Sequence, residues 1–583
     1  MDNAARGDAD PAERVYPLAG LSKDGVRSEG EHVEAVSEPA SNLSYDEDEV
    51  KPELHARTFL ALAAMWLLNL VQLFAIQGPP AVTWILTSLI LAQTVLGPII
   101  ASASDAFQAR KTLLVGSSVI SFIGSAIAPG SKDISRLIAA NVLIGVGLAA
   151  VPLAYSVPSE ILPRSWRPMA QAFVNVAAVL GTIIAPLAIG ALTKNHPHTG
   201  WRYFYWIQTG LWGATAICLF IGYRPPKRHT RLEQLPLRQK FVQLDLPGFF
   251  LLTIGLTLFL TGLGLGGGSY GWKSAITLST LIIGGVIFIG FCIFEWKGTK
   301  TGILHHDLFR GGSANGRTFA IMLFVIFAEG VMIFSYIAFY PVMTTILFDS
   351  DPLVIVARSM PLWVAVILTV PIYGFASAKF KTIREPLFVG LLIATGGTIG
   401  LATIQPSDST NALIFAGLAG IGYGAPLILI VAGIQLSTPH ELIATATAVT
   451  TSSRAIGGSI FTAIYAVAFN DQITRLLPRY VARAAIKAGL PGSSVMPFVQ
   501  ALASGSPDAL KDIPGVSPII IGAGVQALKQ AYADSLRVVF IIAAPIGALA
   551  CIAALFVGDL RKTMNYHVDA PIEKLQPKKQ GQA

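Results

Sequence analysis

The sequence predicts an all-α membrane protein with fourteen transmembrane helices. Three observations carry that prediction. Apolar residues make up 53% of the 583-residue chain and charged residues only 13%, against about 25% charged in soluble domains. The apolar residues gather in runs of about 20, the length that crosses a bilayer core. Basic residues are concentrated in the short gaps on one side of those runs, which is how membrane orientation is set.

In chain order the runs cover 57–78, 82–103, 111–129, 136–157, 168–193, 202–222, 246–265, 275–295, 318–340, 354–376, 386–405, 411–433, 444–469 and 536–558. An even number places both termini on one side. The short loops on that side carry seventeen Lys and Arg, among them Arg110, Lys111, Arg164, Arg167, Arg224, Lys297, Lys379 and Arg384, against six in the opposite short loops. The positive-inside rule therefore predicts cytosolic termini.

The organisation that follows is a polar, acidic tail over 1–56, expected to be disordered and cytosolic; six helices over 57–222; a cytosolic loop and two extra helices over 223–300; six helices over 301–558; and a cytosolic tail over 559–583. The 301–558 part includes a long extracellular loop at about 470–535. Within it, 519–534 reads as an amphipathic helix outside the membrane, since it holds Gln526, Lys529, Gln530 and Asp534. The net charge of +8 belongs to these loops, so nucleic acid is not expected as a partner. Cys218, Cys292 and Cys551 each lie inside an apolar run and imply no disulfide framework.

Ionisable groups inside a bilayer are costly and mark function by default. Glu329 lies mid-run in 318–340 and Arg454 in 444–469. A carboxylate in a low dielectric can exchange a proton near neutral pH, whereas an arginine stays charged and must find a partner. The pair reads either as a proton-coupling or substrate-binding site or as a structural ion pair. In the first six runs the interior polar residues are amides, chiefly Asn69, Gln72, Asn141, Gln171 and Asn175; these bond a polar organic substrate or bridge helices. Gly181, Pro186 and Gly190 mark a helix with a close neighbour and a bend.

No enzyme constellation is present. His305-His306-Asp307 lacks metal-ligand spacing, and no Walker sequence occurs. No cofactor and no metal are expected.

Several motifs resemble those of a known group. Ala101-Ser-Ala-Ser-Asp105-Ala-Phe107-Gln-Ala-Arg110-Lys111 is similar to the major facilitator loop signature GxLaDrxGRK, with Ala101 and Gln108 where the signature has glycine. The resemblance implies that Asp105, Arg110 and Lys111 form a cytoplasmic gate loop. Gly181 through Pro186 to Gly190 resembles the antiporter signature of drug–proton exchangers, and Gly200-Trp201-Arg202 the start of the sixth helix in their fourteen-span group. Asp245-Leu-Pro-Gly248 and Gly271-Trp272 look like the bounds of that group's extra seventh helix. Arg454-Ala-Ile-Gly-Gly458, Ala488–Ser494 and Val557–Met564 resemble the fungal trichothecene efflux pump family, which overlaps with fungal siderophore transporters.

The resemblance implies a major facilitator fold, two six-helix halves with the two extra helices between them. It implies a monomer in the plasma membrane whose partners are lipid, protons and a small amphipathic organic substrate. The expected function is proton-coupled export of a fungal secondary metabolite, mycotoxin or drug; the alternatives are siderophore–iron import and a non-transporting transceptor. Asn141 stands where many proton antiporters carry arginine, and the first run has no acid, so Glu329 is the better proton carrier.

Overall fold

Backbone groups in a bilayer must bond within their own segment, so apolar runs of this length become helices. The computed structural model describes residues 54–76, 83–225, 240, 244–266, 271–299, 302–310, 312–505, 510 and 512–572. Residues 1–53 of the expected tail, the short connection 77–82 between the first two runs and the last eleven residues, 573–583, lie outside that set. Each predicted window falls mainly on helix where it is described.

The first half comprises α1 (Ala56–Ile76), α2 (Thr83–Phe107), α3 (Arg110–Ile127), α4 (Ile134–Leu148), α5 (Val151–Ile161), α6 (Arg167–Asn195) and α7 (Gly200–Gly222). The extra pair is α8 (Leu246–Gly266) and α9 (Ala275–Ile293). The second half comprises α10 (Gly312–Leu347), α11 (Pro352–Phe380), α12 (Arg384–Leu401), α13 (Ser409–Ser437), α14 (Ile443–Lys487), the short α15 (Val495–Ala503) and α16 (Pro518–Leu555). Among the described residues eleven helices are long and apolar enough to cross a membrane, with α4 and α5 counted as one. The windows 82–103, 386–405 and 444–469 coincide with the further helices α2, α12 and α14. Of these, α12 opens on Arg384 and Glu385, and α14 is rich in Thr and Ser over its first turns.

Local chemistry explains the boundaries. Pro152 has no N–H and belongs to a first turn, so the window 136–157 breaks at Ala149 and Ala150. α11 opens on Asp351, whose carboxylate accepts from the Leu353 N–H at 2.8 Å, with Pro352 next. α16 opens the same way on Ser517 and Pro518. The turn between α2 and α3 is made without its signature glycine: Gln108 takes φ +54, a left-handed conformation that costs a side-chain-bearing residue about 1–2 kcal/mol. Lys381, at the matching turn between α11 and α12, takes φ +49.

Between the halves, α6 packs on α11 and α2 on α14, while α8 and α9 pack mainly on each other. Ile282, Ile283, Val286 and Ile289 of α9 are exposed, a face suited to lipid. Within the first half α6 lies hard against α1: a Cβ at Gly181 would stand 2.4 Å from the Leu70 carbonyl oxygen. Pro186 lies inside α6 and removes one ladder donor. At Gly190 a Cβ would be 3.7 Å from Leu353, an ordinary contact, so packing makes no demand for glycine there.

One expectation changes. The segment 470–535 is not a loop with a separate helix at 519–534. α14 continues unbroken to Lys487, and 519–534 is the opening part of α16, continuous with the last span. Leu477, Val481, Phe498, Leu502 and Ile520 bury one another there in a core of their own. The polar residues of 519–534 are absorbed locally: Gln530 donates to Gln405 at 2.7 Å and Lys529 to the Leu347 carbonyl at 2.8 Å.

Overpacking a tight contact costs about 1–3 kcal/mol. Gly181→Leu is therefore expected to lower the melting temperature of the detergent-purified protein by several degrees, while Gly190→Ala leaves it unchanged. Equal melting temperatures would contradict the close α1–α6 approach.

Candidate functional site

Two polar constellations sit in this helical frame. The first lies on the face that carries the C-terminal segment, called here the terminal face. Arg110, at the start of α3, is buried. Its Nη2 donates to Asp105 Oδ1 at 2.9 Å and its Nη1 donates to Glu160 of α5. Asp105 reaches across to the second half, where its Oδ2 accepts from the Thr445 N–H at 3.0 Å and the Thr445 hydroxyl at 2.9 Å. Two of the three expected gate-loop residues thus meet; Lys111 does not join them and lies over the Phe220 ring at 5.0 Å.

Beside this network, Gln171 Nε2 donates to the Tyr155 carbonyl at 2.8 Å, to Ser159 Oγ at 2.7 Å and to Gln435 Oε1 of the second half at 3.1 Å. Gln435 Nε2 donates to Thr447 Oγ1 at 3.1 Å. Arg167, buried at the start of α6, donates to the Gln435 carbonyl and to Asp569. Arg164 donates to Asp569 Oδ1 at 2.6 Å. Burial opposes ionisation of Asp569, yet the guanidiniums of Arg167 and Arg164 hold its carboxyl below the ordinary value of 3.8.

The opposite face differs. There Lys194 of α6 meets Asp351 of α11 at 3.2 Å, with both side chains exposed. An exposed pair contributes little, whereas removing one partner of a buried pair costs about 3–5 kcal/mol. The terminal face is the firmly closed one.

The second constellation is Glu329 with Arg454. Gly330 creates it: a Cβ there would stand 2.4 Å from the Arg454 carbonyl oxygen, so glycine lets α14 press against α10 at this level. Arg454 Nε donates to Glu329 Oε2 at 2.6 Å; Glu329 is fully buried and the Arg454 side chain 20% exposed. Glu329 Oε1 and Arg454 Nη2 are buried and find no hydrogen-bond partner among the described residues. Tyr155, from the first half, lies within electrostatic range of both charges. The arrangement can hold one proton in place of the ion pair, or offer a donor and an acceptor to a polar group.

The amides behave mostly as helix bridges. Gln72 Nε2 donates to the Gly147 carbonyl of α4 at 3.1 Å. Asn141 donates to Tyr205 Oη of α7 at 3.1 Å. Asn175 donates to the Gln171 carbonyl of its own helix at 2.9 Å. Sequence reasoning missed Glu160, Gln435, Thr445 and Asp569. Glu160 and Thr445 border short loops, but nothing local in the sequence pairs Asp569 with residues some 400 positions earlier. No group of three or more His, Cys, Asp or Glu that could hold a metal occurs among the described residues.

The family described as "Fungal trichothecene efflux pump (TRI12)" matches residues 60–581. The MFS-type transporter prx5 of Penicillium rubens is 25% identical over 463 residues, covering 76% of this chain and 80% of its own length. The trichothecene efflux pump TRI12 of Fusarium sporotrichioides is 23% identical over 478 residues, covering 79% of this chain and 77% of its own. Among solved structures, the proton:xylose symporter XylE bound to 6-bromo-6-deoxy-D-glucose superposes with a TM-score of 0.48 at 12% identity, covering 85% of this chain and 94% of that one.

Two outcomes test these contacts. Arg454→Ala is expected to destabilise by about 3–5 kcal/mol because Glu329 is left buried and unanswered; Glu329→Gln with Arg454→Gln together is expected to recover most of that loss in thermal melts. For Asp569 the folded value lies below the unfolded one, so its contribution is full above about pH 4 and is lost as pH falls through the folded value. Hydrogen exchange at the amides of Arg164, Ser165 and Ala570 is expected to stay slow from neutral pH to about 4 and to quicken only in stronger acid, after correction for intrinsic rates.

Proposed function

We propose that this chain, which belongs to the fungal trichothecene efflux pump family of major facilitator transporters, exports a small amphipathic organic molecule, a fungal secondary metabolite, mycotoxin or drug, in exchange for protons. The observation that carries the reading is the family match across residues 60–581. The transporter acts without covalent chemistry: the two helical halves rock about a site between them, exposing it to one side at a time. The loop charges support placing both termini and the terminal face in the cytosol; in this reading the chain works as a monomer with fourteen spans in the plasma membrane.

Proton coupling is assigned to Glu329. Glu329 is buried at mid-span against Arg454, and its second carboxylate oxygen has no hydrogen-bond partner among the described residues. The unprotonated carboxylate offers that oxygen to a donor on the substrate, and a proton arriving on Glu329 removes the acceptor and expels the substrate. Proton and substrate thus compete for one carboxylate, which couples their movements in opposite directions.

Two measurements test this. In inside-out vesicles with an imposed proton gradient, export driven by that gradient is expected from the wild-type chain and is expected to fall at least tenfold in Glu329→Gln; undiminished gradient dependence removes Glu329 from the mechanism. Deleting the gene is expected to raise sensitivity of the producing cell to its own metabolite. A loss of iron–siderophore uptake instead would reverse the direction of transport.

A further inference from the structure

The C-terminal segment belongs to the second half by covalent connection and to the first half by contact. It leaves α16 at Leu555 and is anchored at its root: the Gly558 N–H donates to Thr318 Oγ1 of α10 at 3.1 Å, and Leu560 and Met564 are buried. Its tip crosses to the loop between α5 and α6. There the Arg164 N–H donates to the His567 carbonyl at 3.0 Å, the Ser165 N–H to the Asn565 carbonyl at 2.8 Å, and the Ala570 N–H to the Glu160 carbonyl at 2.9 Å. The Asp569 carboxylate is buried against Arg167 and Arg164 of the first half and lies 3.8 Å from His440 Nδ1, on the loop between α13 and α14 of the second half.

We propose that residues 565–570 are a latch that ties the two halves together on the terminal face, with Asp569 as its positioning residue, and that the latch must detach each time the transporter opens to that side. The proposal rests on the alternating-access reading above. The geometry leaves little choice. Opening the terminal face moves the α5–α6 loop away from the α13–α14 loop. A segment rooted on α10 and α16 and bonded by two backbone hydrogen bonds to the α5–α6 loop and a third to Glu160 at the end of α5 is stretched by that motion. Asp569 adds the charge contact that makes the joint strong: without it the buried Arg167 guanidinium keeps carbonyl acceptors but loses its carboxylate, with Arg164 beside it. The two halves of the latch also differ in kind. The backbone bonds set where the segment lies, and the carboxylate sets how firmly it holds.

The experiment uses the full chain in nanodiscs, with Cys218→Ser, Cys292→Ser and Cys551→Ala, and spin labels on Arg224→Cys and Arg384→Cys, exposed positions at the terminal ends of the two halves. Pulsed electron spin distance measurements read the opening of that face. Asp569→Asn is expected to raise the population of long distances at least threefold, and Asp569→Glu to return it towards wild type. Ala570→Pro, which removes one backbone donor and keeps the carboxylate, is expected to shift it in the same direction by less. Each variant is required to give a single monodisperse peak on size exclusion. Asp569→Asn and Ala570→Pro both giving the wild-type distribution overturns the latch. A wild-type chain that transports and samples both distances, with unchanged variants, overturns the latch alone; a wild-type chain that shows one distance and no transport overturns alternating access itself.

Discussion

A charge inside a low-dielectric bundle must be answered by another charge or by several hydrogen bonds, and this requirement organises the molecule. Arg110, Arg167 and Arg454 are the cations at issue, and each is matched: Arg110 with Asp105 and Glu160, Arg167 with Asp569, Arg454 with Glu329. The pairings of Arg110 with Glu160, Arg167 with Asp569 and Arg454 with Glu329 each join segments distant in sequence. The fold follows from apolar length, but the relative placement of its helices follows from where these few charges can be satisfied. Gly330 and Gly181 serve the same end, by letting backbones approach closely enough for side chains on neighbouring helices to meet.

The distribution of those matches is lopsided. The terminal face carries buried ion pairs, of which Arg167–Asp569 joins the first half to the C-terminal segment, together with the Gln171–Gln435 amide contact and the Asp105–Thr445 cap, which cross between halves. The opposite face carries an exposed Lys194–Asp351 pair. In energetic terms the first closure is made of contacts that are costly to break singly, the second of a contact that salt and water weaken. The conformation described is thus held from the terminal side, and the state open to that side must compensate several buried groups at once.

Much of this was legible in the sequence, and the division is physical. Helix positions were readable because apolar length is a local property: windows such as 275–295 and 411–433 fall on α9 and α13. The buried charges Glu329 and Arg454 were readable because a lone ionisable residue in an apolar run is conspicuous. Their pairing was one of the readings left open, and the structure decides it through Gly330 lying opposite the Arg454 carbonyl. Asp105 and Arg110 were found through a resemblance, while their partners Glu160 and Thr445 were not. Asp569 sat in a polar tail of ordinary composition and gave no local sign. The segment 470–535 was misread because polar residues such as Lys529 and Gln530 argue for a loop when taken alone; as side chains of a continuous helix they are satisfied by Leu347 and Gln405.

The unbroken α14 has a mechanical meaning. At 45 residues it is about 68 Å long, more than twice a hydrocarbon core of about 30 Å. It starts at the terminal face beside Asp105 and ends in the small core around Phe498, where α16 begins. A long helix that crosses the bilayer and projects beyond it works as a pointer up to Pro478, where one ladder donor is missing: a small tilt at its embedded end becomes a large sweep further out. A binder or fluorophore fixed to α15 would therefore report, from outside the membrane, the angle of helices that no external probe can touch.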